Sequence, residues 1–496
     1  MGLVQKDAFR TTLLSYLGIL IGYVNKGVLF LIVLSTAQIG LINLIVSIGT
    51  LFAQLANFGT IYATWKFFPI VKNHEKKHHG FLSFILLIVG LGILVYTTLY
   101  ILFKNQIQHG YAEKSPMFLD YYYWTLPIGI AYVLFMVLEV YLRSLYKNVI
   151  AVFAYEIVLR LATTLVLLLV WANLISFELF VILHSLLYVI PTLILIFYLR
   201  KINEFKIGLS EIKISKRLRK IVFYFSSFSY INTLGSVWVS SLDVLMIAQL
   251  VGLKETGVFT TVVFLASVLQ VPYKSILRVS NPLVADYWKH REMDKMKELY
   301  QKVSSVSLVI GLAMFILVWV NIDFLFSFLK PEFAEGIWVF FFIMIGRLID
   351  MYFGINGAIF TASKKYRYDI LFTVFLIVTV YLLNRLLIPV WGISGAAIST
   401  SIALIVYNLG RLIFVWIAYK LHPFERNQFV IIGLAVFTLT VGYFTQGLIN
   451  NKWIQCLVES TIVSVLFFVP IYVFSLEKET VNYIKKAFAF IRSKMS

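Results

Sequence analysis

Runs of roughly twenty mostly apolar residues alternate along this chain with short polar segments, the length that carries a helix across a ~30 Å hydrocarbon core at about 1.5 Å per residue. Fourteen such runs are legible, at about 11–34, 40–65, 80–103, 119–142, 149–172, 178–199, 221–250, 257–284, 303–325, 336–362, 368–384, 393–419, 427–448 and 453–475. They lack the strict alternation of barrel strands. The pattern predicts an all-α polytopic membrane protein with about 14 transmembrane helices.

One polar stretch interrupts the sixth and seventh runs. Arg200 to Lys220, RKINEFKIGLSEIKISKRLRK, carries eight Lys/Arg against two Glu. The expected organisation is an N-terminal six-helix lobe at 1–200, a basic cytoplasmic linker at 201–220, a second six-helix lobe at 221–420, and helices 13 and 14 with a basic tail at 421–496. Displacing the sequence by 217 positions lays Gly40 on Gly257, Lys26 on Asp243 and Asn57 on Lys274. The two lobes therefore read as pseudo-symmetric, a plan in which transporters hold substrate between repeats.

Polar residues inside the runs are themselves patterned. The second span carries Asn43, Ser47, Thr50, Gln54 and Asn57 at steps of three and four, which keeps them on one helical face. The eighth carries Thr260, Ser267, Gln270, Lys274 and Arg278, with Pro272 and Pro282 to bend or break it. Lys274 and Arg278 suit an anionic substrate; helix contact with snorkelling basic ends is the structural alternative. Lys26 lies eight residues from the outer end of the first span, about 12 Å deep, and Asp243 lies at a similar depth in the seventh. These two are expected to meet and help close the outer side. Glu156 with Arg160, and Arg347 with Asp350, have spacings that allow local pairing, so gating, coupling and purely structural roles are all open to them. Arg411, one turn beyond Asn408, is a further candidate cation.

Composition supports the membrane reading: 60% of residues are hydrophobic and 14% charged. A net charge of +19 would suggest nucleic acid in a soluble protein, but 31 of the 43 Lys/Arg fall in segments on one side of the membrane and six on the other. By the positive-inside rule both termini are expected in the cytoplasm, and no nucleic-acid partner is expected. The single cysteine, Cys456, excludes an intramolecular disulfide and a multi-cysteine metal site. His74, His78 and His79 lack further ligands, so a solvated basic loop is expected there rather than a metal. Residues 286–302 read either as a short helix on the inner membrane face or as a solvated connector. The first run has no A-x-A exit and is expected to stay as helix one. No GxxxxGK phosphate loop occurs, and no cofactor is expected.

The opening spans, SYLGILIGYVNKGVLFLIVLSTAQIGLINLIVSIGTLFAQLANFGT, resemble those of polysaccharide flippases in the multidrug/oligosaccharidyl-lipid/polysaccharide exporter superfamily. SSLDVLMIAQLVGLKETGVFTTVVFLASVLQVP, AIFTASKKYRY and VWGISGAAISTSIA fit the same family. The resemblance implies two six-helix lobes around a central cavity, alternating access, and export of an O-antigen-type, undecaprenyl-pyrophosphate-linked oligosaccharide across a bacterial inner membrane. It also implies a bilayer setting, H+ or Na+ as a possible coupling ion, and contact with glycan polymerase machinery. The lipid II flippase branch carries functional cations where Lys26 and Lys274 stand, with Arg278 nearby; Lys26 replaces the usual Arg and so gives up bidentate phosphate contact. Spans 13 and 14 resemble the helices that carry a lipid groove in that branch. The expected substrate-binding set is Lys26, Lys274, Arg278, Arg411, Gln54, Asn57 and Gln270, with Asp243, Arg347, Asp350, Glu156 and Arg160 for gating or coupling. A cation-coupled multidrug exporter should instead present acids and aromatics. An integral-membrane glycosyltransferase or polymerase needs acid-bearing outer loops, and the longest here, 104–118, has only Glu113.

Overall fold

A computed structural model describes residues 2–73, 77–365, 367–447, 449–482 and 485–486. Among these the secondary structure is helical, without a strand. Six long apolar helices come first: α1 (Phe9–Val33), α2 (Thr36–Ala56), α3 (His78–Leu102), α4 (Tyr122–Ser144), α5 (Val149–Trp171) and α6 (Phe177–Lys201). Next is α7 (Lys216–Leu250), one 35-residue helix, followed by α8 (Leu253–His290), α9 (Met293–Val320) and α10 (Pro331–Phe353). The helical segment Tyr368–Tyr419 is 52 residues long, too long for a single crossing. Gly392 breaks it with φ 55° and ψ −134°, a backbone that side chains disfavour. A Cβ on Gly395 would fall 2.3 Å from the carbonyl oxygen of Leu387, whereas eight residues of continuous helix would span about 12 Å. The segment therefore doubles back, as α11 before Gly392 and α12 after it. Then come α13 (Arg426–Thr445) and α14 (Lys452–Val473); among the described residues twelve helical segments, the folded-back one counted once, are long and apolar enough to cross a membrane, so the expected all-helical polytopic fold is the observed one.

Helix starts are written locally. Ser35 accepts from the Gln38 N–H while Gln38 Oε1 accepts from the Ser35 N–H, a reciprocal cap that opens α2 after the turn at Leu34. Asn451 caps α14 by accepting from Trp453 and Ile454. Residues 286–302 are not a separate surface helix. α8 continues through His290, Arg291 turns the chain with φ 59°, and α9 begins at Met293.

The chain packs as two units, Met1–Thr261 and Val262–Ser496. The division falls within α8, and α7 packs on α2 and on the Thr60–Val71 helix of the first unit. The linker is fastened there too. Ser83 Oγ donates to the Lys206 carbonyl (3.0 Å) and accepts from the Gly208 N–H (3.3 Å), and the Lys213 N–H donates to the His79 carbonyl (3.0 Å). His78 is 1% exposed, with Nδ1 accepting from the Asn73 N–H and Nε2 3.0 Å from Glu204 Oε2. That backbone donor fixes the tautomer, so Nε2 carries the proton toward Glu204. The solvated-loop expectation thus fails for His78, whose ring packs on Phe68; His74 lies outside the described residues.

Lipid is as apolar as a side chain, so close approach rather than water exclusion holds such helices together. In the first unit Phe52, Phe68, Phe81, Val133, Leu138 and Tyr141 interlock. In the second, Val284, Met296, Tyr300, Ile359, Phe360 and Val415 do so, with Tyr300 bonded to Asn356.

Candidate substrate site

In the first unit α1 is not a uniform α-helix. Over Asn25–Leu29 it widens into a π-turn, in which the Phe30 N–H donates to the Asn25 carbonyl five residues back. α5 does the same over Phe153–Val158, where the Leu159 N–H donates to Ala154. These wide turns lie on helices that pack together. Gly18 and Gly22, at G-x-x-x-G spacing, permit the approach: a Cβ on Gly18 would sit 2.7 Å from Glu156 Cβ, and one on Gly22 2.0 Å from Arg160 Nη1. Arg160 Nη1 donates to the Gly18 carbonyl (2.6 Å), and Nη2 stands 2.5 Å from Glu156 Oε2. The i,i+4 pair is therefore formed, with the guanidinium also engaged by the α1 backbone. Lys26 projects, exposed, from the π-turn. It lies within electrostatic reach of Arg160 and of buried His184 on α6, whose ring packs against Phe180 and Tyr188.

The start of α2 touches the start of α8 backbone on backbone. A Cβ on Gly40 would lie 1.9 Å from the Leu253 carbonyl oxygen, and one on Gly257 1.9 Å from that of Thr36. These are the repeat-related glycines. Further along α2 the polar stripe is engaged largely by its own helix. Asn43 donates to Ile39, and Thr50 to Ser47. Asn57, fully buried, donates to the Gln54 carbonyl (2.7 Å) and accepts from the Gly59 N–H (2.7 Å), which makes it the C-cap of α2. Gln54 is buried beside it and against Met136. Asp243, on α7, is 3% exposed.

In the second unit α8 has a 3-10 turn at Ser267–Leu269, just before Pro272, and resumes as an α-helix at Gln270. Its buried side carries Tyr273, Ser280 and Val284, and Tyr273 OH donates to the Gly354 carbonyl (3.1 Å). Lys274 and Arg278 occupy the opposite, exposed side, and neither has an ion-pair partner among the described residues; Gln270 is half-buried. Arg411 is placed otherwise. Its Nε (2.8 Å) and Nη2 (2.5 Å) converge on Asp369 Oδ1, and its guanidinium lies 4.5 Å from the Tyr407 ring centroid. Arg347 and Asp350, despite their spacing, form no ion pair among the described residues; Asp350 Oδ1 accepts from Asn408 Nδ2 (3.2 Å). An apolar cavity of about 350 Å³ opens among α8, α9, α10 and α14, lined by Leu269, Leu317, Phe340, Met344 and Cys456, with Asn321 and Ser460 as its polar edge.

No protein-family profile matches the chain, and no curated protein matches it. Solved structures do. The inward closed conformation of the lipid II flippase MurJ superposes with a TM-score of 0.73 at 15% identity, over 94% of this chain and 98% of that one. An inward-facing multidrug resistance MATE family transporter of the MOP superfamily gives 0.63 at 14% identity, over 82% and 94%. A MOP superfamily transporter from Pyrococcus furiosus with a binding pocket of reversed polarity gives 0.53 at 13%, over 84% and 96%. The fold is that of the MOP-superfamily transporters and flippases. Within the MOP fold, charged residues that the sequence leaves equivalent are placed differently: Glu156, Arg160 and Arg411 stand in ion pairs, Asp243 is buried, Lys26 is exposed within reach of Arg160 and His184, and Lys274 and Arg278 are exposed with no ion-pair partner among the described residues. Sequence reading missed Asp369, Asn25 and Thr164. Asp369 sits next to a basic run and reads as a loop end, while Asn25 is overshadowed by the charge beside it.

Proposed function

We propose that this protein is a flippase that moves a polyprenyl-pyrophosphate-linked oligosaccharide across a bacterial inner membrane by alternating access, with both termini on the cytoplasmic side. The observation that carries the reading is the Lys274–Arg278 pair, one turn apart on the exposed side of a broken membrane helix and with no acid at ion-pair distance among the described residues. Charges within a bilayer are costly and persist where they have work to do. Two fixed cations at that spacing suit the oxygens of a pyrophosphate, which gains charge-assisted hydrogen bonds as it leaves water. Lys26 supplies a third cation from the first repeat. The apolar cavity beside α14 suits an isoprenoid tail. The likeness to MurJ over nearly the whole chain supports a lipid-linked substrate. An inside-negative potential drives an anion outward by about 2.3 kcal/mol per charge per 100 mV. H+ or Na+ coupling through Asp243, Asp350 or Glu156 is compatible with the same cycle. The exposed cations disfavour the multidrug reading, in which the cargo is itself cationic.

The test uses liposomes holding the purified protein and an undecaprenyl-pyrophosphate oligosaccharide, with exchange between leaflets followed by enzymatic access to the sugar. Wild type should accelerate exchange, and Lys274→Ala with Arg278→Ala should slow it by roughly a hundredfold, the worth of two charge-assisted hydrogen bonds. Wild-type protein that transports hydrophobic cations and no lipid-linked sugar would overturn the proposal.

A further inference from the structure

A π-turn is rare in a helix and persists where something outside the ladder holds it. In α1 that something is visible. Asn25 opens the turn, is 4% exposed, and reaches across to α5. Its Nδ2 donates to the Arg160 carbonyl (2.8 Å), and its Oδ1 accepts from Thr164 Oγ1 (2.7 Å). Thr164 Oγ1 also lies 2.9 Å from that same Arg160 carbonyl. The three groups close a ring that ties the wide turn of α1 to α5 just beyond its own π-turn at Phe153–Val158. The Gly22 and Gly18 contacts lie one and two turns earlier in α1, so the helix is fastened to α5 before the residue at which its register changes as well as at that residue.

Lys26 is the next residue. A π-turn holds one residue more than an α-turn, and absorbing it would rotate one side of α1 against the other by about 100° with a shift of about 1.5 Å. We propose that Asn25 and Thr164 are positioning residues that fix the direction of the Lys26 ammonium, so that the ring across α1 and α5, rather than the Lys26 side chain alone, decides whether this cation faces the anionic head group. The inference rests on the flippase reading for its consequence but not for its geometry. Loss of the ring lets α1 relax toward regular α-helix and turns Lys26 out of place, while the fold, fastened by the hydrogen bond from Arg160 to the Gly18 carbonyl and by the close approach at Gly18 and Gly22, remains.

Direction is read without transport. In Cys456→Ser protein the native thiol is gone, and Lys26→Cys is labelled in proteoliposomes with a charged, membrane-impermeant methanethiosulfonate. Thr164→Ser keeps the hydroxyl and should keep the labelling rate. Thr164→Val, of matching shape, and Asn25→Leu should each change it by roughly tenfold, the range one or two hydrogen bonds command. A cysteine replacing Leu174, which is 71% exposed beyond α5, reports in parallel that the fold is intact. Equal rates at position 26 in the Ser, Val and Leu variants, with the Leu174 reporter unchanged, would overturn the positioning role. Transport is measured separately on chains that keep Lys26, where Thr164→Val should slow exchange and Thr164→Ser should not. A labelling contrast in a protein that moves no lipid-linked sugar would refute the function and leave the bracket standing. Robust transport with no contrast would do the reverse.

Discussion

Arg411 and the Lys274–Arg278 pair are cations of the same unit, carried on membrane helices, and their surroundings could hardly differ more. Arg411 is caged: two donors on one Asp369 oxygen, an aromatic face beneath it, and Gly357 leaving it room. Lys274 and Arg278 stand on an exposed helix side with no acid within ion-pair distance among the described residues. The first arrangement neutralises a charge within the fold, so removing either partner strands the other. The second leaves charge available, as the proposed anionic head group requires. A basic residue in a membrane span is therefore not evidence of a binding site until its partner is known.

The contrast breaks first on stability. Arg411→Ala leaves the Asp369 carboxylate unpaired and should lower unfolding free energy by about 3 kcal/mol, seen as a lower thermal midpoint in detergent. Arg411→Leu with Asp369→Leu should recover most of that loss; if the double variant melts as low as the single one, the pair is not self-contained. Lys274→Ala with Arg278→Ala should show the opposite profile, an unmoved midpoint with transport lost. Next comes the repeat-related pair: Lys26→Asp and Asp243→Lys should each impair transport, and their combination should restore it. Failure of that rescue in leaflet-exchange assays would rule out direct pairing. The smallest effect belongs to the linker, where His78→Phe removes the hydrogen bonds to Asn73 and Glu204. Trypsin should then cut at Lys206 and Lys213 roughly tenfold faster, with transport close to wild type. An unchanged cutting rate would mean that the bonds of the Ser83 hydroxyl and the His79 carbonyl to the linker backbone hold it unaided.

Much of this architecture is written in local pattern. The helices follow from apolar run length, the reversal between α11 and α12 lies within the turn sequence VWGISGAA, and the Gly40–Gly257 correspondence emerges from one displacement of the chain. The site was less legible for a physical reason. Asp369 and Arg411 are 42 residues apart, and Glu204 is 126 from His78, so no helical periodicity announces either contact. Arg347 and Asp350 show the converse, a spacing that permits pairing where the packing supplies Asn408 instead. The π-turns are also silent in the sequence, since the partners of Asn25, Arg160 and Thr164, lie 135 and 139 residues away on another helix. Asn57 reads as one more member of a polar stripe until the end of α2 is seen to need a cap.

Where Thr36–Gly40 meets Leu253–Gly257, neither position has room for even a methyl group, because carbonyl oxygens stand within 2 Å of where it would begin. Two codons 217 triplets apart are thereby bound to a single-letter alphabet by one another. In a library of random substitutions they should be depleted together, and a variant tolerated at one should arise only where the other helix has drawn back. Each glycine thus sets the side-chain size that the other can bear.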